Sequence, residues 1–294
     1  MESLAPAMRY AKMNQTMRTL SAAQVRDAVA QAAVDANYVL SDDMIAALEA
    51  ALRTEVSPNG REALHEILAN AKIAADGRFP LCQDTGLAVL FVELGEDARV
   101  EGGLRFAIEE GVRKGYGEAF LRKSVCDPFT RQNTGSNLPA IIHVDIVPGD
   151  RLTIDFLAKG GGSENMSRAA VLPPSAGEEG VIEFAVGAVR AGGINACPPI
   201  TVGLGVGGNL ELAAMLSKKA LTRELGTPSP DPTLARIERE TLERINKLGI
   251  GPGALGGTVT ALAVHAIAVP CHIASLPVAV TLECHAHRHR RIVL

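Results

Sequence analysis

Ile142-His143-Val144-Asp145-Ile146-Val147-Pro148-Gly149-Asp150-Arg151-Leu152-Thr153-Ile154-Asp155-Phe156 alternates apolar and polar side chains on either side of a Pro-Gly-Asp turn. A period of two turns one strand face to a core and the other to water, and the turn residues predict that the two strands pair as a hairpin. Its far end delivers Lys159-Gly160-Gly161-Gly162-Ser163. Upstream, the apolar run Leu87 to Leu94 predicts a buried strand just after a cysteine-bearing loop, and Gly103 to Leu121 predicts a helix. Ser124 to Pro139, rich in Asp, Pro, Asn, Gly and Ser, reads as a long ordered loop. Residues 21–76 read as three helices, the clearest N-capped by Ser41 with Met44, Ile45, Leu48, Ala51 and Leu52 on one face. Downstream come a helix over Glu178 to Arg190, a strand over Pro199 to Val206, a helix over Gly208 to Leu221 and an amphipathic stretch over Pro232 to Leu248. The class expected is α+β (mixed α/β): an N-terminal helical layer packed on mixed sheets, with the functional groups held by loops. Gly226 to Pro232 is linker-like but short, so residues 1–294 are expected to form one unit, with residues 1–76 as its helical N-terminal portion.

The chain has 294 residues, 47% of them hydrophobic, enough to bury a substantial core. Its net charge of -4 and the lack of a basic stripe with interleaved aromatics exclude nucleic acid as the expected partner. Small anions remain compatible, because local Arg and Lys can oppose the global sign. Thr258 to Cys284 is very apolar but is broken by His265, Pro270, His272 and Pro277, so buried strands and turns are expected there and no membrane span. Five cysteines and no apolar h-region in the first twenty residues point to a reducing compartment, the cytoplasm, with free thiols. Arg9, Lys12 and Arg18 leave a weak organelle-targeting reading open.

Cys82, Cys197 and Cys284 lie more than eighty residues apart, each in a segment dense in prolines, glycines or reactive side chains. That distribution suggests a metal site assembled by folding. Three thiolates are one fewer than a fully ligated cubane cluster needs, which would leave one iron open to a substrate. Each motif also has a plainer reading. Cys82-Gln83-Asp84 alone could be a buried cysteine before a turn, and Cys197 before Pro198-Pro199 a structural corner. Gly160-Gly161-Gly162 lets a backbone approach an anion, as flexible turns also do. Cys284-His285-Ala286-His287-Arg288-His289 could be a mononuclear zinc or iron site, or a solvated basic tail. Gly203, Gly205, Gly207 and Gly208 lack the dinucleotide spacing, and close helix-on-strand packing accounts for them. Cys126 and Cys271 read as packing residues.

Taken together, Pro80-Leu81-Cys82-Gln83-Asp84-Thr85-Gly86, Asn133-Thr134-Gly135, Lys159-Gly160-Gly161-Gly162-Ser163-Glu164, Ile194-Asn195-Ala196-Cys197-Pro198-Pro199 and Cys284 resemble class I fumarate hydratase over nearly the whole chain. The likeness is to the alpha subunit of the two-component form, whose relatives include L-tartrate dehydratase alpha subunits. The resemblance implies a 4Fe-4S cluster on Cys82, Cys197 and Cys284. It implies substrate contacts from Gln83, Asp84, Arg122, Lys159, Gly160, Gly161, Gly162 and His272, with Asp84 and His272 as catalytic groups. It further implies a beta subunit carrying a C-terminal swivelling domain, hence a hetero-oligomer acting on a small dicarboxylate. Hydration of fumarate to L-malate is the expected reaction. Tartrate or mesaconate as substrate, or a scaffold without a cluster, are the alternatives.

Overall fold

The computed structural model describes residues 17–294; Arg9 and Lys12 of the targeting reading lie outside them. In chain order the elements are β1 (Arg18–Ser21), α1 (Ala22–Tyr38), α2 (Asp42–Thr54), α3 (Pro58–Ala75), β2 (Leu87–Gly95), β3 (Ala98–Glu101) and α4 (Leu104–Glu118). Then follow β4 (Ile141–Val147), β5 (Leu152–Lys159), the single turn α5 (Gly161–Glu164), β6 (Arg168–Leu172), α6 (Gly177–Gly192) and β7 (Ile200–Gly208). The chain closes with α7 (Leu210–Ala220), α8 (Pro232–Asn246), β8 (Ala261–Cys271), β9 (Leu276–Glu283) and β10 (His289–Val293). Helices packed on mixed parallel and antiparallel sheets give the expected α+β class, and the three N-terminal helices fall where the sequence places them. Ser41 occupies the N-cap of α2, but its side chain makes no capping bond; the cap that closes reciprocally is Ser21 with Gln24 on α1.

The expected hairpin does not form. Strands β4 and β5 both exist, yet the sheet order is β10-β5-β2-β4, with β2 between them, parallel to β4 and antiparallel to β5. The reason is that β2 is apolar on both faces and gains more by lying in the middle of a sheet than at its edge. The Pro148-Gly149-Asp150 connection spans two strand spacings, about 10 Å, and arches over the end of β2. Carbonyls of Val147, Gly149 and Arg151 accept from the amides of Glu96, Asp97 and Gly95. Alternation fixes that a segment is a strand; it does not fix its neighbour.

The second four-stranded sheet has the order β6-β9-β7-β8. One core packs β2, β5 and β10 against α1 and α4, with Val29, Ile108, Val112 and Phe156 at its centre. Another packs β7, β8 and β9 against α6 and α8, around Val189, Leu204, Ile245 and Leu282. Helix α7 lies between the sheets. Its C-cap residue Leu221 meets Val89, Phe91 and Leu157 of the first sheet, while its backbone rests on β7 of the second. A Cβ at Gly203 would stand 1.9 Å from the Ser217 carbonyl and one at Gly205 2.0 Å from that of Ala213. These glycines serve close helix-on-strand packing, as read from the sequence, and not a nucleotide.

Helices α2 and α3 form a lid over Leu81, Ala263, Ala286 and Cys284. The lid is pinned by one buried carboxylate: Glu55 accepts from the amides of Val56, Ser57, Thr258 and Val259 and from the Thr258 hydroxyl. Burial works to raise the Glu55 pKa, but these donors outweigh it and hold the group below its ordinary value. Glu55→Ala would leave several donors unpaired, so unfolding in urea should show a loss of about 3 kcal/mol, partly restored in Glu55→Gln. A loss below about 1 kcal/mol would mean that water replaces the carboxylate at no cost.

Candidate active site

The three cysteines singled out from the sequence are free and come from different elements. Cys82 follows α3 on the loop leading to β2, Cys197 lies between α6 and β7, and Cys284 directly follows β9. The amide of His285 donates to the Cys197 carbonyl at 3.2 Å, and His285 Nδ1 lies 3.0 Å from the same oxygen. That contact seats Cys284 beside Cys197. The Cys82 thiol is close enough that its charge, after burial, raises the Cys197 pKa. Leu81 and Cys284 share one apolar cluster, which brings the third pair of segments together. Burial, followed by the neighbouring Glu283 carboxylate, pushes the Cys284 thiol up to about 12.

Cys197 has φ 55, the left-handed region that an L side chain enters at a cost of about 1–2 kcal/mol. Among the described residues no group of three or more His, Cys, Asp or Glu side chains converges as a single metal ion requires. This overturns the mononuclear reading of Cys284, His285, His287 and His289. His285 turns to Cys197, while His287 and His289 pack edge to face at 4.5 Å in the interior. Pairwise neighbourhood of three free thiols from separate segments is chemically compatible with a polynuclear iron-sulfur group, whose sulfurs need not meet at one ion.

Asp84, two residues beyond Cys82, lines a cavity of about 310 Å³ together with Leu87, Arg122, Ser124, Lys159 and Gly161. The Asp84 carboxylate accepts from the amides of Gly161 at 2.7 Å and Gly86 at 3.0 Å. Its loop is braced from below: Tyr116 donates to the Thr85 carbonyl at 2.7 Å, the Thr85 hydroxyl to the Arg122 carbonyl at 2.7 Å, and Asn137 to the Gly86 carbonyl at 3.1 Å. Asn137 also accepts from the Ser124 amide at 2.7 Å, so the loop 124–139 shapes the cavity wall. Lys159 is buried, with its Nζ 2.7 Å from Ser163 Oγ and 3.2 Å from Glu283 Oε2. This ties the glycine turn to the residue preceding Cys284. Gln83 is exposed next to Cys82, whose sulfur donates to its Oε1 at 3.3 Å. Gly160 caps α5, and Gly162 lies within it.

His272 is placed elsewhere. It is exposed on the turn between β8 and β9, beside Cys271 and Ile273, while Cys284 lies at the other end of β9, about 23 Å along the strand at 3.3 Å per residue. The fold therefore does not bring His272 to the cavity of its own chain. Ser124, Glu283, Asn37 and Arg288 do reach the site, and sequence reading missed them. Nothing in their local sequence marks them, because only the fold makes them neighbours.

The fumarate hydratase (Fumerase) family model matches residues 26–293. The chain belongs to this family. It is 36% identical over 254 residues to the L(+)-tartrate dehydratase subunit alpha of Escherichia coli strain UTI89, covering 85% of this chain and 84% of that one. To the subunit of the same name from strain K12 it is 35% identical over 260 residues, covering 87% and 86%. A Methanocaldococcus jannaschii protein with a provisional assignment under that name is 40% identical over 272 residues, covering 90% and 95%. Members of the family thus bear the names of a hydratase and a dehydratase, and adding or removing water is in both cases hydro-lyase chemistry. No helix among the described residues is long and apolar enough to cross a membrane.

Proposed function

We propose that this chain is the catalytic alpha subunit of an iron-sulfur hydro-lyase that interconverts fumarate and L-malate together with a beta subunit. What supports the reading is that the Cys82 thiol acts on Cys197, that the Cys284 segment is hydrogen-bonded to Cys197, and that Asp84, two residues beyond Cys82, lines a cavity with Arg122 and Lys159. Those cysteines would hold a 4Fe-4S cluster, which when bound supplies a Lewis acid that eases the departure of hydroxide, a poor leaving group. The remaining work falls to the protein. Asp84 takes the weakly acidic proton from the neighbouring carbon, its carboxylate aimed by two backbone amides. Arg122 offers a planar fork to one substrate carboxylate, with Lys159 and the amides of Gly160 to Gly162 at the other end and Gln83 at the cluster's edge. The relatives' names, each a subunit alpha, support a beta partner and a hetero-oligomer; we place the complex in the reducing cytoplasm, where free thiols keep a cluster.

A second reading, dehydration of L-tartrate, is favoured by those same names. The substrates differ by one hydroxyl, so a site that hydrogen-bonds it would discriminate strongly. The test is anaerobic reconstitution with the candidate beta subunit, then kcat/KM for malate, tartrate and mesaconate. Malate should lead, the isolated chain should have little activity, and air should abolish turnover. Tartrate preferred by about tenfold or more, the span of about 1.4 kcal/mol, would move the assignment to the second reading. A complex that takes up no iron would leave only a scaffold.

A further inference from the structure

We propose that Arg288 is a positioning residue that fixes the Asp84 loop and the Gly160 turn in the geometry catalysis needs. The proposal rests on the hydro-lyase reading above. Arg288 belongs to the histidine- and arginine-rich C-terminal stretch, where a solvated basic tail is the ordinary expectation. Instead its side chain is 1% exposed, the largest of the fully buried ones. Nη1 donates to the Asp84 carbonyl and, at 3.2 Å, to Asn37 Oδ1. Asn37 is itself anchored, donating to the Ala33 carbonyl at 2.9 Å, and its own carbonyl accepts from the Leu81 amide at 2.8 Å. The Arg288 carbonyl accepts from Ala158 at 2.9 Å, which fixes the backbone on β5. Arg288 therefore links α1 and the Asp84 loop through its side chain and the end of β5 through its backbone, with Asn37 carrying the connection to the Cys82 loop.

Two further observations separate this residue from an ordinary buried brace. Among the described residues no carboxylate lies within ion-pair distance of the guanidinium, and Nε has no hydrogen-bond partner. A buried cation held out of contact with any carboxylate costs several kcal/mol, a cost that persists where function requires the charge. Its other end faces the site: a Cβ placed on Gly160 would stand 3.0 Å from Arg288 Nη2 and 3.3 Å from Asp84 Oδ2. Guanidinium and carboxylate thus flank one point of the glycine turn, and only a hydrogen at that position leaves both in place. Removing Arg288 should let the Asp84 loop and the turn relax apart, so that the Asp84 carboxylate is no longer aimed.

The test compares Arg288→Gln, Arg288→Lys and Asn37→Ala in the full chain. Amide exchange at Gly86 and Gly161, whose N–H groups bond Asp84, should accelerate at least about tenfold in Arg288→Gln and Asn37→Ala, while Val89 and Leu157 in the sheet stay protected. Unchanged exchange at Gly86 and Gly161 overturns the proposal, whatever the enzyme's activity. In the reconstituted complex, iron content should be retained and kcat should fall about 100-fold, with KM within about threefold, as expected of a misplacement near 1 Å. Arg288→Lys should recover part of kcat. A kcat within threefold of wild type, a loss confined to KM, or loss of iron in step with activity each overturns the role. A wild-type complex without turnover on any of the dicarboxylates sinks the hydro-lyase reading instead, and the exchange data then still decide whether Arg288 positions the loop.

Discussion

Cys197→Ser is expected to abolish cluster loading and, in the reconstituted complex, to lower turnover by about 10³-fold or more, the several kcal/mol that a Lewis acid supplies. A cubane held by three thiolates loses its geometry when one becomes a hydroxyl, a poor iron ligand. Cys82→Ser and Cys284→Ser should behave alike, whereas Cys271→Ser, on the distant turn, should leave iron and rate unchanged. Cys197 offers a sharper variant because its backbone sits at φ 55. Cys197→Gly should lose all iron but no stability of the metal-free chain. Relief of about 1–2 kcal/mol of left-handed strain offsets the added freedom of glycine when unfolded, about 0.5–1 kcal/mol. Iron per chain and urea midpoints measure the two effects separately. Full iron content in Cys197→Ser would remove Cys197 from the ligand set, and with it the cluster as drawn.

Lowering the pH from 7 to 5 should destabilise the chain by about 4 kcal/mol through His265 and His287 alone, at 1.36 kcal/mol per pKa unit. His265 is held near 4 chiefly by burial and then by Arg223, and His287 near 4 by burial and then by His265. They are 2% and 0% exposed, so little solvent screening applies. A base whose folded pKa lies below its unfolded value of 6.5 favours the fold only while neutral. Its contribution is complete above pH 6.5 and declines until the folded value near 4, about 2 kcal/mol per group by pH 5. His289, near 3 through burial and then His287, adds in the same direction. Asp43 faces all three and opposes the trend, while Arg223, Arg290 and Lys159 reinforce it. Above pH 5 most carboxylates stay ionised in both states, so the window isolates the imidazoles. Urea unfolding of His287→Leu should show a slope between pH 6.5 and 5 that is flatter by one proton. Equal slopes in variant and wild type would show that His287 is protonated within the fold at no cost.

Much of this was legible before folding was considered. Helices α1 to α3, α4, α6, α7 and α8 announce themselves by apolar periodicity and caps, because those signals act within a few residues. The glycines of β7 were legible as packing residues, since a strand that alternates glycine asks for a helix laid on it. Cys82, Asp84, Lys159 and Cys197 stood out through unusual local company. His289 to Val293 did not: a run of basic residues looks solvated, yet it forms β10 against β5 and buries His287 and Arg288 ahead of it. The expected hairpin failed for the same kind of reason, since alternation cannot say that β2 will take the place between β4 and β5.

By itself the sequence determined the chemistry available, three free thiols, an Asp beside one of them and a glycine turn behind a lysine, together with the elements that carry them. Local propensity and short-range pattern suffice for that, because they are written in consecutive residues. Only the tertiary structure decided which groups meet: Cys284 beside Cys197 through His285, Lys159 on Glu283, Arg288 under Asp84, and His272 at the far end of the sheet. Those pairings join residues up to 204 positions apart, and they follow from burial of whole sheet and helix faces, to which every side chain on the face contributes and which no single segment encodes.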